Sequence, residues 1–302
     1  MTLLLETDLP NLYYRGKVRD TYDLGTELLI VATDRVSAFD SVLPNGIPDK
    51  GIVLNQLSSF WFQLTAHLVP NHLVQVVDDV HWLNAMYGEK VCAGYYSYPD
   101  YLARRSMVVH KAERIDIECV VRGYLSGSAW AEYSERGTIS GQTMPSGLRE
   151  SEKLPHPLFT PTTKAEVGHD EPISLDETAD LIGSELAQEV VGKSLEIYHY
   201  AHDYARSRGI IIADTKMEFG LIGGRLVLID ELLTPDSSRF WDAARYEVGQ
   251  AQPSFDKQPL RDWLVASGWD KEPPAPALPP QVVEETAERY REAYCRLTGR
   301  ML

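Results

Sequence analysis

Cysteine and long apolar runs are scarce in this chain of 302 residues. Its three cysteines, Cys92, Cys119 and Cys295, are widely separated and lack metal-ligand spacing, which argues against a disulfide framework or zinc site and predicts reduced thiols. No apolar segment approaches the roughly 18 residues of a membrane-spanning helix, and residues 1–10 carry acids beside a short apolar run. We therefore expect a cytoplasmic protein with no membrane partner and no signal peptide.

Positive charge is also in short supply. Acidic residues outnumber basic ones by 44 to 29, which gives a formal net charge of −15. This balance argues against nucleic acid as the main partner, but anionic substrates remain possible where cations gather locally. With 44% hydrophobic residues, the chain can bury a substantial core as one large domain or as two smaller lobes.

Hydrophobic periodicity predicts both strands and helices. Short β-branched runs predict an antiparallel sheet in the first part of the chain, at residues 28–33, 73–77, 107–111 and 115–121. Apolar spacing predicts one helix from about Asn55 to Leu68 within that part and a closing amphipathic helix at residues 283–297. Residues 137–172 are rich in Gly, Pro, Ser and Thr, and they predict a long ordered loop or flap.

A further helical region follows that loop. Ser174 and Glu177 have the spacing of a capping box, and the apolar pattern after them continues to about Gly209. Gly183 and Gly192 lie inside this pattern, where glycine weakens a helix. We expect one or both of them to kink or divide the region.

Charged residues interrupt an otherwise buried strand pattern after Ile210. Asp214, Lys216 and Glu218 alternate with apolar positions, so all three share one face of the predicted strand. Gly223-Gly224 then predicts a turn, after which a second strand leads to Asp230. Two carboxylates near a lysine suit Mg²⁺ with phosphate, whereas the alternative is a solvated hairpin with ordinary surface ion pairs.

The metal hypothesis must satisfy the alternation of strand side chains. A strict two-residue turn at Gly223-Gly224 pairs Glu218 with Ile229 and places Asp230 on the opposite face. A magnesium site at Glu218 and Asp230 therefore requires a longer loop with a bulge, or an Asp230 that lies just beyond the regular ladder.

Three other segments combine glycine, hydroxyl and charged residues. Residues 14–20 place three cations around Gly16, and this pattern predicts either a loop that covers phosphates or a solvated loop. Residues 33–40 leave a buried strand with charges and hydroxyls, and they favour either a binding loop or an Asx turn with a surface ion pair. Residues 118–128 join an apolar strand to Arg122, two glycines and two serines. This pattern predicts either an anion-binding site or a strand followed by a glycine turn.

Together these segments closely resemble the SAICAR synthetase family, the phosphoribosylaminoimidazole-succinocarboxamide synthases. The resemblance covers most of the chain. It rests on residues 15–20, 34–40, 118–128, 214–220 and 230–239, which occur in the family's order. Residues 157–166, which include Lys164 and Glu166, look like the longer form of the family.

The resemblance implies an α+β fold, similar in plan to protein kinases and ATP-grasp enzymes. A β-rich ATP-binding lobe is expected at residues 1–120 and a larger α/β lobe at residues 121–302. The implied reaction belongs to de novo purine biosynthesis. ATP activates the carboxylate of carboxyaminoimidazole ribonucleotide (CAIR), and the amine of L-aspartate then displaces phosphate to give SAICAR, ADP and phosphate.

The family's site residues are carried over to the matching positions of this chain. Mg²⁺ is the expected cofactor, with Glu218 and Asp230 as its ligands. The expected catalytic residues are Lys216, Asp214 and Asp40, the last as a base for the aspartate amine. The expected ATP-binding residues are Gly16, Lys17, Val18, Arg19, Glu118, Cys119, Val120 and Lys164. The expected substrate-binding residues are Ser37, Lys50, Arg122, Ser128 and Arg239, although Lys50 has an alternative as an ordinary surface lysine.

Two other functions use similar residues. A kinase-like small-molecule phosphotransferase also needs a phosphate loop and metal carboxylates, but the chain lacks the HRD and DFG motifs of protein kinases. A non-catalytic nucleotide-binding regulator does not require Lys216, Glu218 and Asp230 together. We expect a ligase that acts as a monomer or small homo-oligomer.

Overall fold

A computed structural model describes residues 3–88, 96–164 and 170–302. The α-helices in these residues are α1 Lys50–Thr65, α2 Val80–Tyr87, α3 Gly127–Arg136, α4 Leu175–Ile182, α5 Ser184–Ser207, α6 Gln258–Ala266 and α7 Pro280–Thr298. The strands are β1 Leu12–Arg15, β2 Arg19–Asp23, β3 Glu27–Ala32, β4 Arg35–Ala38, β5 Ser41–Gly46, β6 Leu73–Val76, β7 Ser106–His110, β8 Glu113–Arg114, β9 Ile117–Tyr124, β10 Thr138–Ile139, β11 Gln142–Thr143, β12 Lys153–Phe159, β13 Thr162–Thr163, β14 Ile210–Ile222, β15 Arg225–Ile229 and β16 Ser238–Asp242. No helix in the described ranges is long and apolar enough to cross a membrane.

The chain forms two compact units, each made of separate segments. The first unit comprises Met1–Phe62, His72–Lys111 and Asp256–Leu302, and the second comprises Gln63–Asn71 and Ala112–Phe255. These units differ from the predicted lobes at residues 1–120 and 121–302, because α6 and α7 group with the N-terminal segment. The physical reason is a shared core in which Leu260, Leu264 and Ala287 pack with Val36 and Ile47.

The first unit contains an antiparallel sheet with the strand order β1-β2-β3-β7-β6. Leu29 and Val31 of β3 and Val108 of β7 are fully buried in one cluster with Leu83 of α2. Strand side chains alternate between the two faces of a sheet, so these residues give the sheet one apolar, buried face. The polar loops lie at the ends of its strands. A separate pair, β4 and β5, follows β3 in the chain.

The second unit contains a sheet with the order β12-β9-β14-β15, and β8, β13 and β16 pair outside this path. The central strand β14 is 13 residues long and pairs with β9, β15 and β16. Helix α5 packs on β14 and β9, and its Val190, Ile197 and Ala201 are fully buried. Strand β14 therefore forms the centre of this unit.

Several element boundaries depart from the sequence predictions. Helix α1 begins at Lys50, five residues before Asn55, because the carboxylate of Asp34 accepts a hydrogen bond from Gly51 N at 3.0 Å in the first turn. The apolar spacing did not predict α2, α3 and α6. Ser174 and Glu177 form the predicted capping box, and Gly183, with φ of 87°, separates α4 from α5. Helix α5 continues through Gly192.

Residues 137–172 do not form one continuous loop. They contain β10, β11, β12 and β13, and β12 pairs with β9 although Pro155 and Pro157 lie within it. Proline is tolerated there because β12 is an edge strand of its sheet path, where not every backbone N–H needs a partner. Local composition predicted a loop because it does not reveal a pairing with a distant strand.

Candidate active site

The hairpin of β14 and β15 shows whether strand alternation keeps Asp230 on the face opposite Glu218. Gly223 and Gly224, with φ of 58° and 75°, form a two-residue turn, and Glu218 pairs with Ile229. Asp230 follows the last residue of β15 and has φ of 67°, in the left-handed region. Because Asp230 lies just beyond the ladder, strand alternation does not direct its side chain away from Glu218.

Charged residues of the second unit converge on β14 in a group that we call the carboxylate–lysine cluster: Glu118, Lys164, Lys216, Glu218 and Asp230. Lys164 Nζ lies 2.9 Å from Glu118 Oε1 and 2.5 Å from Glu218 Oε1. Lys216 Nζ lies 2.8 Å from the same oxygen of Glu118. Glu118 and Glu218 are only 5% and 8% exposed, so these ion pairs are shielded from water.

The two buried glutamates of this cluster differ in their electrostatic environment. Burial acts to raise the pKa of Glu118, but the ammonium groups of Lys216 and Lys164 outweigh it, and the pKa of this carboxyl is lowered. Burial raises the pKa of Glu218, and the nearby charge of Asp230 raises it further, against the opposing effect of Lys164. The influence of Asp230 indicates that the two predicted metal ligands lie close together.

The donor set of Glu218 and Asp230 fits Mg²⁺. Both supply carboxylate oxygens, and burial followed by the charge of Asp230 raises the pKa of Glu218, so a cation bound to both carboxylates would offset their repulsion. Among residues 3–88, 96–164 and 170–302, no three or more His, Cys, Asp or Glu side chains group as a metal site. A magnesium ion at these two carboxylates would therefore take its remaining ligands from water and from substrate phosphate, as is usual for Mg²⁺.

A second group on the same unit, the arginine cluster, consists of Arg122, Ser128, Asp214 and Arg239. Arg122 Nη1 donates to Asp214 Oδ2 at 3.1 Å, and Arg122 Nη2 donates to Ser128 Oγ at 3.2 Å. Arg239 contacts the same oxygen of Asp214. Burial lowers the pKa of Arg122, although Asp214 opposes the effect. Two guanidinium groups on one carboxylate leave net positive charge for an anionic ligand.

Gly127 lets the guanidinium of Arg239 approach the backbone. Its φ of 57° lies in the left-handed region, and a Cβ at this position would overlap the Arg239 side chain. Any other residue at position 127 would therefore displace Arg239 from the arginine cluster. Arg122 is fixed from another side by Thr160, whose Oγ1 accepts from Arg122 Nε at 3.0 Å.

The predicted phosphate loop lies in the first unit, as the turn between β1 and β2. Gly16 N donates to Arg19 O at 2.8 Å, and the half-exposed Lys17 forms an ion pair with Asp40 at 2.5 Å. Arg35 fixes this turn, since its Nη2 donates to Gly16 O at 3.0 Å and its Nε donates to Lys17 O at 3.1 Å. Val18 accepts hydrogen bonds from the backbone and side chain of Thr33.

The other predicted site residues of the first unit are less accessible. Lys50 is fully buried at the start of α1, with Nζ 6.0 Å from the ring centroid of Tyr290, so the alternative of a surface lysine is wrong. The burial follows from the N-terminal extension of α1 beyond its predicted start. Ser37 is half-buried in β4, and its carbonyl accepts from Lys257 Nζ at 3.2 Å.

The predicted adenine-binding residues belong to β9 in the second unit. Cys119 is fully buried and Val120 is 9% exposed, while the carbonyl of Val120 accepts from Thr160 N at 2.8 Å. Cys119 and Val120 also pair with Met217 and Lys216 of β14. Glu166, which the sequence associated with Lys164, lies outside the described residues.

Comparison with known proteins decides the family. The family model for SAICAR synthetase matches residues 12–276, which is most of the chain. The chain belongs to the SAICAR synthetase family. It is 54% identical over 300 residues to a phosphoribosylaminoimidazole-succinocarboxamide synthase of Syntrophobacter fumaroxidans, a match that covers 98% of this chain and 96% of the relative. A synthase of the same name from Geobacter sulfurreducens is 52% identical over 301 residues, with 99% and 98% covered.

Solved structures of SAICAR synthetases have the same fold. The SAICAR synthase of Saccharomyces cerevisiae complexed with SAICAR matches with a TM-score of 0.88 and 44% identity, over 99% of both chains. A SAICAR synthetase in complex with ADP matches with a TM-score of 0.68 and 25% identity, over 96% of this chain and 98% of that one. The predicted family and the predicted α+β fold are confirmed.

SAICAR synthetases are ATP-dependent ligases, so the prediction of a ligase is confirmed and a kinase-like phosphotransferase is not favoured. Sequence reasoning missed four residues that hold the arginine cluster and the predicted phosphate loop in place. These residues are Asp20, Arg35, Gly127 and Thr160. All four lie within or beside the segments that carry the resemblance to SAICAR synthetases. Their partners are 15 to 112 positions away, however, and no spacing pattern predicts such contacts.

Proposed function

We propose that this protein joins L-aspartate to the carboxylate of CAIR, with conversion of ATP to ADP and phosphate, in de novo purine biosynthesis. The relatives' names, the ADP complex of one SAICAR synthetase and the SAICAR complex of another support the proposal. The observation that carries it is the row of Asp214, Lys216 and Glu218 on β14. This row joins an anion-binding arginine cluster to a carboxylate–lysine cluster suited to metal and phosphate.

The chemistry requires activation because a carboxylate is a poor electrophile. An oxygen of the CAIR carboxylate attacks the γ-phosphorus of ATP, so that ADP leaves and an acyl phosphate forms. The aspartate amine then attacks the acyl carbon, loses a proton and expels phosphate, which leaves an amide. Positioning and neutralisation of charge supply most of the catalysis in such phosphoryl transfers.

In the first unit, we assign Gly16, Lys17, Val18 and Arg19 to the ATP phosphates. Glycine permits close approach of the backbone, and the two cations supply charge to phosphoryl oxygens. In the second unit, Glu118, Cys119 and Val120 are assigned to the adenine pocket and Lys164 to ATP. Val120, which is 9% exposed, offers an apolar contact to a base, whereas the side chain of Cys119 is fully buried in β9.

Glu218 and Asp230 are the residues that would hold Mg²⁺ in the second unit. When bound, Mg²⁺ neutralises negative charge on phosphate oxygens. Lys164, which pairs with Glu118 and Glu218, lies among the same carboxylates. Lys216 is assigned to the developing acyl phosphate, because it lies in the β14 row between Asp214 of the arginine cluster and Glu218, and burial of its surroundings strengthens its charge interactions.

Arg122, Ser128 and Arg239 are assigned to the phosphate of the ribotide, and Asp214 is assigned to its ribose or imidazole. The bidentate geometry of arginine suits phosphate, and Ser128 offers a hydroxyl beside Arg122. For aspartate, Ser37 and Lys50 stay predicted contacts, and Asp40 stays the predicted base. Asp40 is paired with Lys17, so acceptance of a proton by Asp40 would require that ion pair to loosen.

The proposal is tested by omission of one substrate at a time. Purified protein receives Mg²⁺-ATP, CAIR and L-aspartate, release of ADP is followed, and the product is identified by mass. We expect turnover only with all three substrates and a product that gains the mass of aspartate less water. A phosphorylated hydroxyl acceptor would indicate a kinase, and nucleotide binding without turnover would indicate a regulator.

A cytoplasmic location stays a prediction, and so does a monomeric or small homo-oligomeric state.

A further inference from the structure

Strand β14 carries one extra residue next to the arginine cluster. Ile212 pairs with Phe240 of β16 and Asp214 pairs with Arg239, so Ala213 is the additional residue of a β-bulge. Bulges change the direction of the side chains that follow them. This bulge immediately precedes Asp214, whose carboxylate contacts both Arg122 and Arg239.

A tyrosine hydroxyl supports the bulge from the opposite edge of β14. The ladder between β14 and β9 ends at the pair Asp214 and Arg122, and Ile212 lies beyond it. The carbonyl of Ile212 instead accepts a hydrogen bond of 2.7 Å from the hydroxyl of Tyr198, which is 2% exposed on α5. A buried carbonyl needs such a partner, because a buried acceptor without a hydrogen bond lowers the stability of the fold.

Gly123 makes room for this hydroxyl. A Cβ at position 123 would overlap the Tyr198 hydroxyl, so the residue next to Arg122 must be small for the contact to form. Burial, followed by the influence of Tyr124 and Asp214, raises the pKa of Tyr198. The hydroxyl therefore remains protonated and able to donate throughout the range in which enzymes work.

We propose that Tyr198 is a positioning residue for ribotide recognition, because its hydroxyl holds the Ala213 bulge that sets Asp214 between Arg122 and Arg239. The inference rests on the proposed function of the arginine cluster. Without the bulge, a one-residue change of register would turn Asp214 to the other face of the strand. Partial relaxation toward that register moves the Asp214 carboxylate away from both arginines. The two guanidinium groups then lose the contact that orients them toward the ribotide.

The test is Tyr198→Phe, which removes one oxygen atom and keeps the ring in the core. We expect KM for CAIR to rise about five- to tenfold, which corresponds to the loss of one hydrogen bond, while KM for ATP and for aspartate stays within about twofold. The matched control is Tyr246→Phe. It removes a hydroxyl that donates to Ser151 O at 2.8 Å in the same unit, outside the arginine cluster.

A purely structural role for Tyr198 predicts the same result for both variants: a lower Tm and no selective change in KM for CAIR. That result would overturn the proposal. In an Asp214→Asn background, Tyr198→Phe should change KM for CAIR by less than about twofold, because the effect passes through Asp214. Full additivity of the two substitutions would also contradict it.

A second variant covers the case in which Tyr198→Phe does not fold. Tyr198→4-aminophenylalanine, made by site-specific incorporation, keeps a donor at the same ring position, and KM for CAIR should remain within about twofold of wild type. A selective rise in KM for CAIR would show that donation to Ile212 is not what matters. Failure of the proposed function is distinct, since the wild-type protein would then release no ADP in response to CAIR and aspartate.

Discussion

At the residue scale, a single backbone angle decides where Asp230 lies. Its φ of 67° is unusual for a residue other than glycine, and aspartate and asparagine tolerate it better than most side chains do. The left-handed conformation ends β15 and leaves Asp230 near Glu218, as the pKa of Glu218 reflects. The backbone at position 230 is therefore part of the proposed metal site.

Asp230→Asn removes the negative charge and retains a residue that accepts the left-handed conformation. We expect the fold and Tm to be kept while Mg²⁺-ATP turnover falls by about a hundredfold or more, because one of the two proposed metal carboxylates is lost. Release of ADP is measured across a magnesium titration. Asp116→Asn, at an exposed ion pair of the same unit, is the control, and near wild-type turnover in Asp230→Asn would refute the metal role.

Arg122 offers a test of ribotide binding at a single side chain. Arg122→Ala removes charged hydrogen bonds from the arginine cluster, and we expect KM for CAIR to rise about tenfold to a hundredfold with little change in KM for ATP. Steady-state kinetics with each substrate varied in turn measures both constants. Arg114→Ala, whose guanidinium pairs with exposed Asp116, should leave them unchanged. An unaltered CAIR titration in Arg122→Ala would reject the assignment.

At the element scale, the turn between β1 and β2 depends on a neighbouring strand for its shape. Arg35 of β4 donates to the carbonyls of Gly16 and Lys17, and Asp20 orients its guanidinium at 2.7 Å. The predicted phosphate loop is therefore fixed by side chains that precede and follow β3 in the chain, and not by its own turn alone.

Arg35→Lys keeps the positive charge beside Asp20, but one ammonium group cannot reproduce the spread of contacts made by a guanidinium. We expect KM for ATP to rise about tenfold, with KM for CAIR within about twofold, because the turn loses its anchor. Kinetics and a thermal melt are recorded together. Arg15→Lys is the control, since Arg15 also lies beside Asp20 yet donates to Thr7 O. Equal increases in both constants would indicate general loss of structure.

At the scale of the whole molecule, Cys119 reports on the integrity of the second unit. It is fully buried in β9, and burial raises the pKa of its thiol. Because thiolate is the reactive form and is disfavoured there, the native protein at about pH 8 should not be labelled at Cys119 by a thiol reagent.

The comparison is between wild type and Cys119→Ala, with thiol equivalents counted before and after denaturation. Both native proteins should give the same count, whereas the denatured wild type, with three cysteines, should give one equivalent more than the variant. A lower count for the native variant would mean that Cys119 is accessible in the folded state, contrary to the burial of β9.

The local features of this protein follow from short-range patterns in its sequence. Alternation placed Asp214, Lys216 and Glu218 in one row, and the Ser174 capping box began a helix, because both patterns depend on residues only a few positions apart. The resemblance of the quoted segments gave the family and the fold. The roles of the individual site residues stay predictions.

Contacts between distant groups, in contrast, depend on the three-dimensional fold. Arg122 and Asp214 are 92 positions apart, and their contact depends on the register of β9 and β14. The left-handed Asp230, the bulge supported by Tyr198 and the grouping of α7 with the N-terminal segment likewise depend on backbone angles and long-range packing. Local periodicity determines which face of an element is buried, but the register, the bulges and the packing partners are selected by the free energy of the whole fold.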